Sequence, residues 1–104
     1  MKDIERIKAL SNAFGPSGFE DEVAQIVCDE LKEYKPRIDH IRNVLVETKT
    51  KSNKPRVMLD AHLDEVGLIV QAIKPNGTIR FLNIGGISRS SIPGNSYLIK
   101  TKNL

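Results

Sequence analysis

Four titratable side chains fall close together in the stretch Asp60-Ala61-His62-Leu63-Asp64-Glu65. They follow the apolar run Val57-Met58-Leu59 and precede Val66-Gly67 and a second run, Leu68-Ile69-Val70. The first run reads as a buried strand. The titratable groups then crowd its C-terminal end, where open α/β sheets collect ligands. In regular strand geometry Asp60, His62 and Asp64 share one face, and Glu65 points away or lies past the strand end. His62 can offer one ring nitrogen to a metal. Asp64 can accept the proton of the other nitrogen, directly or after a small turn. A carboxylate in that position fixes the tautomer of a metal-bound histidine and raises its basicity. A plainer reading stands beside this one: three acids near a strand end also make a solvated turn. A catalytic zinc usually takes three protein ligands and an open position, and this stretch holds one histidine.

The elements that must position these residues come first in the chain. Ile4, Ile7, Leu10 and Phe14 recur at helical spacing, with Asp3 and Glu5 in the first turn. Asn12 and Gly15-Pro16 bring that helix to an end. Ser17 with Glu20 three residues on forms a capping box for a second helix, from about Phe19 to Tyr34. Phe19, Val23, Ile26, Val27, Leu31 and Tyr34 make one apolar stripe suited to packing on a sheet. Lys35 complements the helix dipole, and Pro36 stops the helix. Cys28 sits on it as a small core residue.

Ile38 to His40 reads as a short strand or its approach, with His40 in a surface turn. Asn43 suits a bend, bonding to its own backbone. Val44-Leu45-Val46 starts a strand, and a polar loop, Lys49 to Pro55, joins it to the strand at Arg56, a pattern consistent with a hairpin. Gly67 marks a bulge or a close backbone approach. Leu68 to Ile73 resumes a strand, Pro75-Asn76-Gly77 turns the chain, and Thr78 to Leu82 returns. Ser96 to Thr101 reads as a last short strand. No helix signal follows Tyr34, and the texture changes near Ala72 to Pro75, which places a domain boundary there. Ser88, Arg89, Ser90 and Ser91 form a polar loop, and no base or orienting acid stands in motif relation to them as a nucleophile would need.

Several of these stretches, taken together, resemble the M42 family of metallo-aminopeptidases, the glutamyl and tetrahedral aminopeptidase group. Asp60 through Gly67 resembles its metal-site signature. Phe14 through Glu20 resembles its early Gly-x-Ser-Gly-x-Glu turn, and Asp39 through Val44 its Asp-x-x-x-Asn-Val segment. Asn76-Gly77, Gly85-Gly86 and Ile92-Pro93-Gly94 resemble the start of the domain inserted into its catalytic fold, although Ile87 stands where the family commonly has an aromatic residue. The resemblance implies an α/β chain. Residues 1–73 would be the N-terminal segment of a zinc-peptidase-like catalytic domain, and residues 74–104 the beginning of an inserted β-barrel-like domain. It implies metal-assisted release of N-terminal residues from peptides, with two divalent ions, zinc or cobalt, in the complete enzyme. His62 carries over as a ligand of one ion and Asp64 as the residue that orients it. Glu65 belongs to the signature without a direct ligand role. Members of the family are several times longer, and nothing here corresponds to their other ligands, bridging aspartate and catalytic glutamate. The chain therefore reads as a fragment or a truncated gene product, inactive alone, with a homo-oligomer expected for the complete enzyme. The rival reading is a non-catalytic remnant that self-associates or binds a partner.

Composition narrows the remaining classes. A length of 104 residues bounds the chain to one domain or two incomplete pieces. An apolar fraction of 39% is slightly low for a self-sufficient core. The net charge of +3 is spread out except at Lys49 to Lys54, and there is no Trp to stack on bases, so nucleic acid is not an expected partner. Cys28 is alone, which rules out a disulfide within the chain and fits a reducing, cytoplasmic setting. No apolar run follows Met1-Lys2-Asp3, so no signal peptide is expected. No run of 18 apolar residues exists, so no membrane span is expected. Its small size and an incomplete sheet with an exposed edge lead us to expect a chain that dimerises or is only marginally folded by itself.

Overall fold

A computed structural model describes residues 2–48 and 53–101. In chain order the elements are α1 (Asp3–Asn12), α2 (Asp21–Glu30), a 3-10 turn (Lys32–Tyr34), β1 (Arg37–Ile38), β2 (Val44–Leu45), β3 (Gly67–Ile73), β4 (Ile79–Ile84) and a second 3-10 turn (Arg89–Ser91). The arrangement is mixed α/β. The chain divides into two compact units, Met1–Glu65 and Val66–Leu104.

In the first unit α1 forms where the Ile4, Ile7 and Leu10 spacing places it and stops at Asn12. The second helix is shorter than the apolar stripe suggests. It starts at Asp21, not Phe19, and ends at Glu30, with Leu31 leading into the 3-10 turn. The capping box does not form. Glu20, not Ser17, is the N-cap residue, and its carboxylate accepts the Gly18 N–H at 2.7 Å. Glu20 is thereby occupied by the turn before the helix. Lys35 follows the 3-10 turn in a left-handed conformation, φ 53°, ahead of Pro36. The buried apolar side chains are Ala13, Val23 and Ala24, with Gly15 and Pro16 buried beside them in the sequence. This small core lies where the end of α1, the Gly15-Pro16 turn and the first turn of α2 meet. Arg6 on α1 pairs with Glu30 on α2 at 2.8 Å and with Asp3 at 3.0 Å. Cys28 is half-buried on α2.

β1 and β2 pair antiparallel, Arg37 opposite Leu45 and Ile38 opposite Val44. The hairpin therefore closes one element earlier than the sequence reading placed it. Its loop is held by one carboxylate. Asp39 Oδ1 accepts the N–H groups of Ile41 (3.0 Å) and Asn43 (2.9 Å), and Oδ2 accepts the Asn43 side-chain amide at 2.9 Å. Asn43 thus serves the turn through Asp39 and not through its own backbone. Arg42 takes a left-handed conformation, φ 68°, and reaches Asp21 on α2 at 2.7 Å. His40 is exposed in this loop, as expected. Of the polar loop Lys49 to Pro55, residues 49–52 lie outside the described residues.

Val57-Met58-Leu59 is not a buried strand. It carries no regular structure, and its side chains are 83%, 86% and 94% exposed. A strand needs a hydrogen-bonding neighbour to persist. β1 and β2 pair with each other, and no described strand pairs with this run.

In the second unit β3 and β4 form an antiparallel hairpin, with a bulge between Val70 and Ala72. Gly67, read as a bulge or a close backbone approach, pairs regularly with Ile84, and the bulge lies in the middle of the strand. The turn is local chemistry. Asn76 Oδ1 accepts the Thr78 N–H (3.1 Å) and hydroxyl (2.8 Å), and Gly77, at φ 80°, supplies the left-handed residue of a three-residue hairpin loop. The register puts Val70 beside Phe81 and Ile73 beside Ile79 on one face, and Ile69 beside Leu82 on the other. Both faces are thus apolar, and all six side chains are exposed. Ser88 to Ser91 is a self-bonded turn, with the Ser91 hydroxyl donating to the Ser88 carbonyl at 2.7 Å. Ser96 to Thr101 carries no strand. The chain there is tied by side chains instead, the Tyr97 hydroxyl donating to the Ile92 carbonyl at 2.7 Å. Among the described residues no helix is long and apolar enough to cross a membrane.

The hydrogen bond from Arg6 holds the Glu30 carboxyl below its usual value, against the opposing effect of burial. At Asp39 burial acts to raise the value, and the bonds from Asn43 and the Ile41 amide together outweigh it, so the net direction is also down. Both groups therefore bind fewer protons folded than unfolded. Their stabilisation is complete above the unfolded carboxylate value of about 4 and is lost as pH falls through the lower folded values. The urea midpoint should fall on acidification from pH 7 to about pH 3, and Asp39→Asn with Glu30→Gln should flatten that dependence. An unchanged acid slope in the double variant would contradict it.

Candidate functional site

His62 Nδ1 lies 3.0 Å from Asp64 Oδ1 and 3.0 Å from the Asp64 carbonyl oxygen. Both neighbours are acceptors, so Nδ1 carries the proton. The lone pair is then on Nε2, and the imidazole is 86% exposed, so that nitrogen is open to an incoming group. The contact arises in a stretch without regular structure and not through a shared strand face, because residues 56–64 carry no strand. Asp60 is exposed.

Glu65 does something the sequence reading missed. Its N–H donates to the Gly15 carbonyl at 2.8 Å, and its Oε1 accepts the Gly15 N–H at 3.2 Å. Pro16 and Glu65 form an isolated parallel bridge. The two stretches Phe14–Glu20 and Asp60–Gly67 are therefore tied to each other by main chain and carboxylate. Neither stretch carries a local signal for this, since the partners are 50 residues apart.

Gly15 is the close-packed member of the pair. A Cβ there would lie 2.6 Å from Val23 Cγ2 and 3.7 Å from the Leu63 carbonyl oxygen. Val23 is buried in α2, and a β-branched residue in a helix has little rotamer freedom to move aside.

As a metal site the described residues are partial. His62 fits as one ligand, with its second nitrogen already satisfied. Among the described residues no group of three or more His, Cys, Asp or Glu side chains could hold an ion.

The chain is similar to aminopeptidases through most of its length. It is 33% identical over 105 residues to the glutamyl aminopeptidase of Lactococcus lactis, covering 98% of this chain and 30% of that protein. It is 36% identical over 90 residues to the lysyl aminopeptidase of Pyrococcus furiosus, covering 84% of this chain and 25% of that protein. The crystal structure of a TET aminopeptidase from a marine-sediment Thaumarchaeota archaeon superposes with a TM-score of 0.74 at 38% identity, over 83% of this chain and 25% of that one. Residues 42–104 match the M42 glutamyl aminopeptidase family. The chain belongs to that family, and it spans under a third of the length of these relatives.

Gly15→Ala is expected to lower stability by about 1–3 kcal/mol through overpacking against Val23. Urea unfolding followed by circular dichroism measures this. An unchanged midpoint would show that the turn has room the structure does not give it.

Proposed function

We propose that this chain is the N-terminal part of a metal-dependent aminopeptidase that releases N-terminal residues from peptides. The observation that carries the reading is the His62–Asp64 pair, in which Nδ1 is held and Nε2 is left free. His62 would hold one ion and Asp64 would orient the ring. The divalent ions of the complete enzyme, zinc or cobalt, would supply Lewis acidity and an activated water. What these residues do is narrower: Asp64 keeps the imidazole in one tautomer and limits its rotation. Family membership supports the hydrolytic class.

On this reading residues 1–73 belong to the catalytic domain and residues 74–104 begin the inserted β domain. The passage between them falls at the turn of the β3–β4 hairpin, so one ribbon serves both. The two apolar faces of that ribbon suit cover by further chain or by another subunit, in keeping with a peptide-cleaving homo-oligomer in the cytoplasm. A second reading is favoured by one observation, the lack of a three-ligand cluster among the described residues. It makes the 104-residue chain a non-catalytic module that self-associates or binds a partner.

The two readings agree that the chain alone does not turn over substrate, and they differ at His62. The chain should bind zinc weakly and hydrolyse no aminoacyl-anilide. His62→Ala should abolish that binding, and Asp64→Asn should weaken it about tenfold. Elemental analysis and a zinc titration, beside a hydrolysis panel, measure all three. Tight stoichiometric zinc with turnover would contradict the incomplete-site reading. Zinc binding unchanged by His62→Ala would remove His62 as the ligand.

A further inference from the structure

We infer that Glu65 is a positioning residue for His62, acting through Gly15 and the peptide plane that joins Asp64 to Glu65. The inference rests on the reading of His62 as a metal ligand. A trans peptide is planar, and its C=O and N–H point in opposite directions. The Glu65 N–H donates to the Gly15 carbonyl at 2.8 Å. The carbonyl of the same peptide is that of Asp64, and it faces His62 Nδ1 at 3.0 Å. Aiming the N–H at Gly15 therefore aims the carbonyl at the histidine. Hydrogen bonds at the two ends of one peptide also polarise each other in the same sense.

The Glu65 side chain secures this arrangement. Its Oε1 accepts the N–H of Gly15, a buried residue, and so closes a second bond between the same two residues. A single bond would leave the 64–65 plane free to swing about it. Two bonds, one from the main chain and one from the side chain, hold it. Gly15 cannot retreat, because the space behind its Cα is filled by Val23 Cγ2. The order of support runs from α2 through Val23 to Gly15, then to Glu65, the 64–65 peptide and the His62 ring. Val57-Met58-Leu59, the chain leading into the motif, is open to solvent, which leaves the Glu65 end to fix the geometry. Removing the carboxylate should thus let the 64–65 peptide swing about its one remaining main-chain bond and draw the Asp64 carbonyl off Nδ1, which leaves the Asp64 carboxylate as the single acceptor there and raises the share of the other tautomer, without touching His62 or Asp64.

The test is the ring 15N spectrum of His62 in the 104-residue chain at about pH 8, where imidazole is neutral. Exposed His40 in the β1–β2 loop serves as the internal control. The unchanged chain should show Nδ1 protonated. Glu65→Ala should move His62 toward a mixture of tautomers, leave His40 unmoved and weaken zinc at His62 about tenfold. Glu65→Gln keeps an Oε1 acceptor and should keep both the tautomer and the zinc affinity of the unchanged chain. A Glu65→Ala chain with the original tautomer overturns the proposal, as does a Glu65→Gln chain that loses it. The Gln variant also decides the matter if the Ala variant does not fold. Failure of zinc to shift Nε2 in the unchanged chain would count against the metal reading alone, and the tautomer comparison would still decide the role of Glu65.

Discussion

The first unit depends on a pair of hydrogen bonds between residues far apart in sequence, Gly15 and Glu65. They fasten the end of the His62–Glu65 stretch to the turn between the two helices. That turn is itself anchored in the small buried cluster of Ala13, Val23 and Ala24. A buried amide left without an acceptor costs about 1–3 kcal/mol, so the carboxylate of Glu65 matters to folding. The absence of a side chain at Gly15 is what lets the turn lie against Val23 of α2, since an added Cβ would fall 2.6 Å from Val23 Cγ2.

The motifs of the chain divide by what their side chains do. Asp39 and Asn43 act inside one loop, and Arg42 carries that loop to α2 through Asp21. Glu20 completes the turn at Gly18. Glu65 joins two motifs. His62 and Asp64 bond to each other, and His62 is open to solvent. Polar residues spent on turns and ties are explained by folding.

What the sequence made legible was local. α1 and the Pro75-Asn76-Gly77 hairpin follow from spacing and turn chemistry within a few residues, and both appear where they were expected. The His62–Asp64 contact was legible as a two-residue spacing, although no strand brings it about. Long-range pairings were not legible. Val57 to Leu59 has the composition of a buried strand, but composition cannot supply the neighbour on which a strand depends, and the run is exposed. The Ser17–Glu20 box failed because Glu20 had a nearer donor at Gly18. The role of Glu65 was hidden because its partner stands 50 residues back and is a glycine, whose only handles are backbone atoms.

The central claim is that Gly15 and Glu65 hold each other from both sides. Amide hydrogen exchange in the unchanged chain tests it most directly, because each residue contributes one N–H to the pair. The account predicts that the Gly15 and Glu65 amides are both protected and exchange at similar rates, since opening one bond frees the other. Exchange of either amide as fast as that of the exposed Met58 would contradict it.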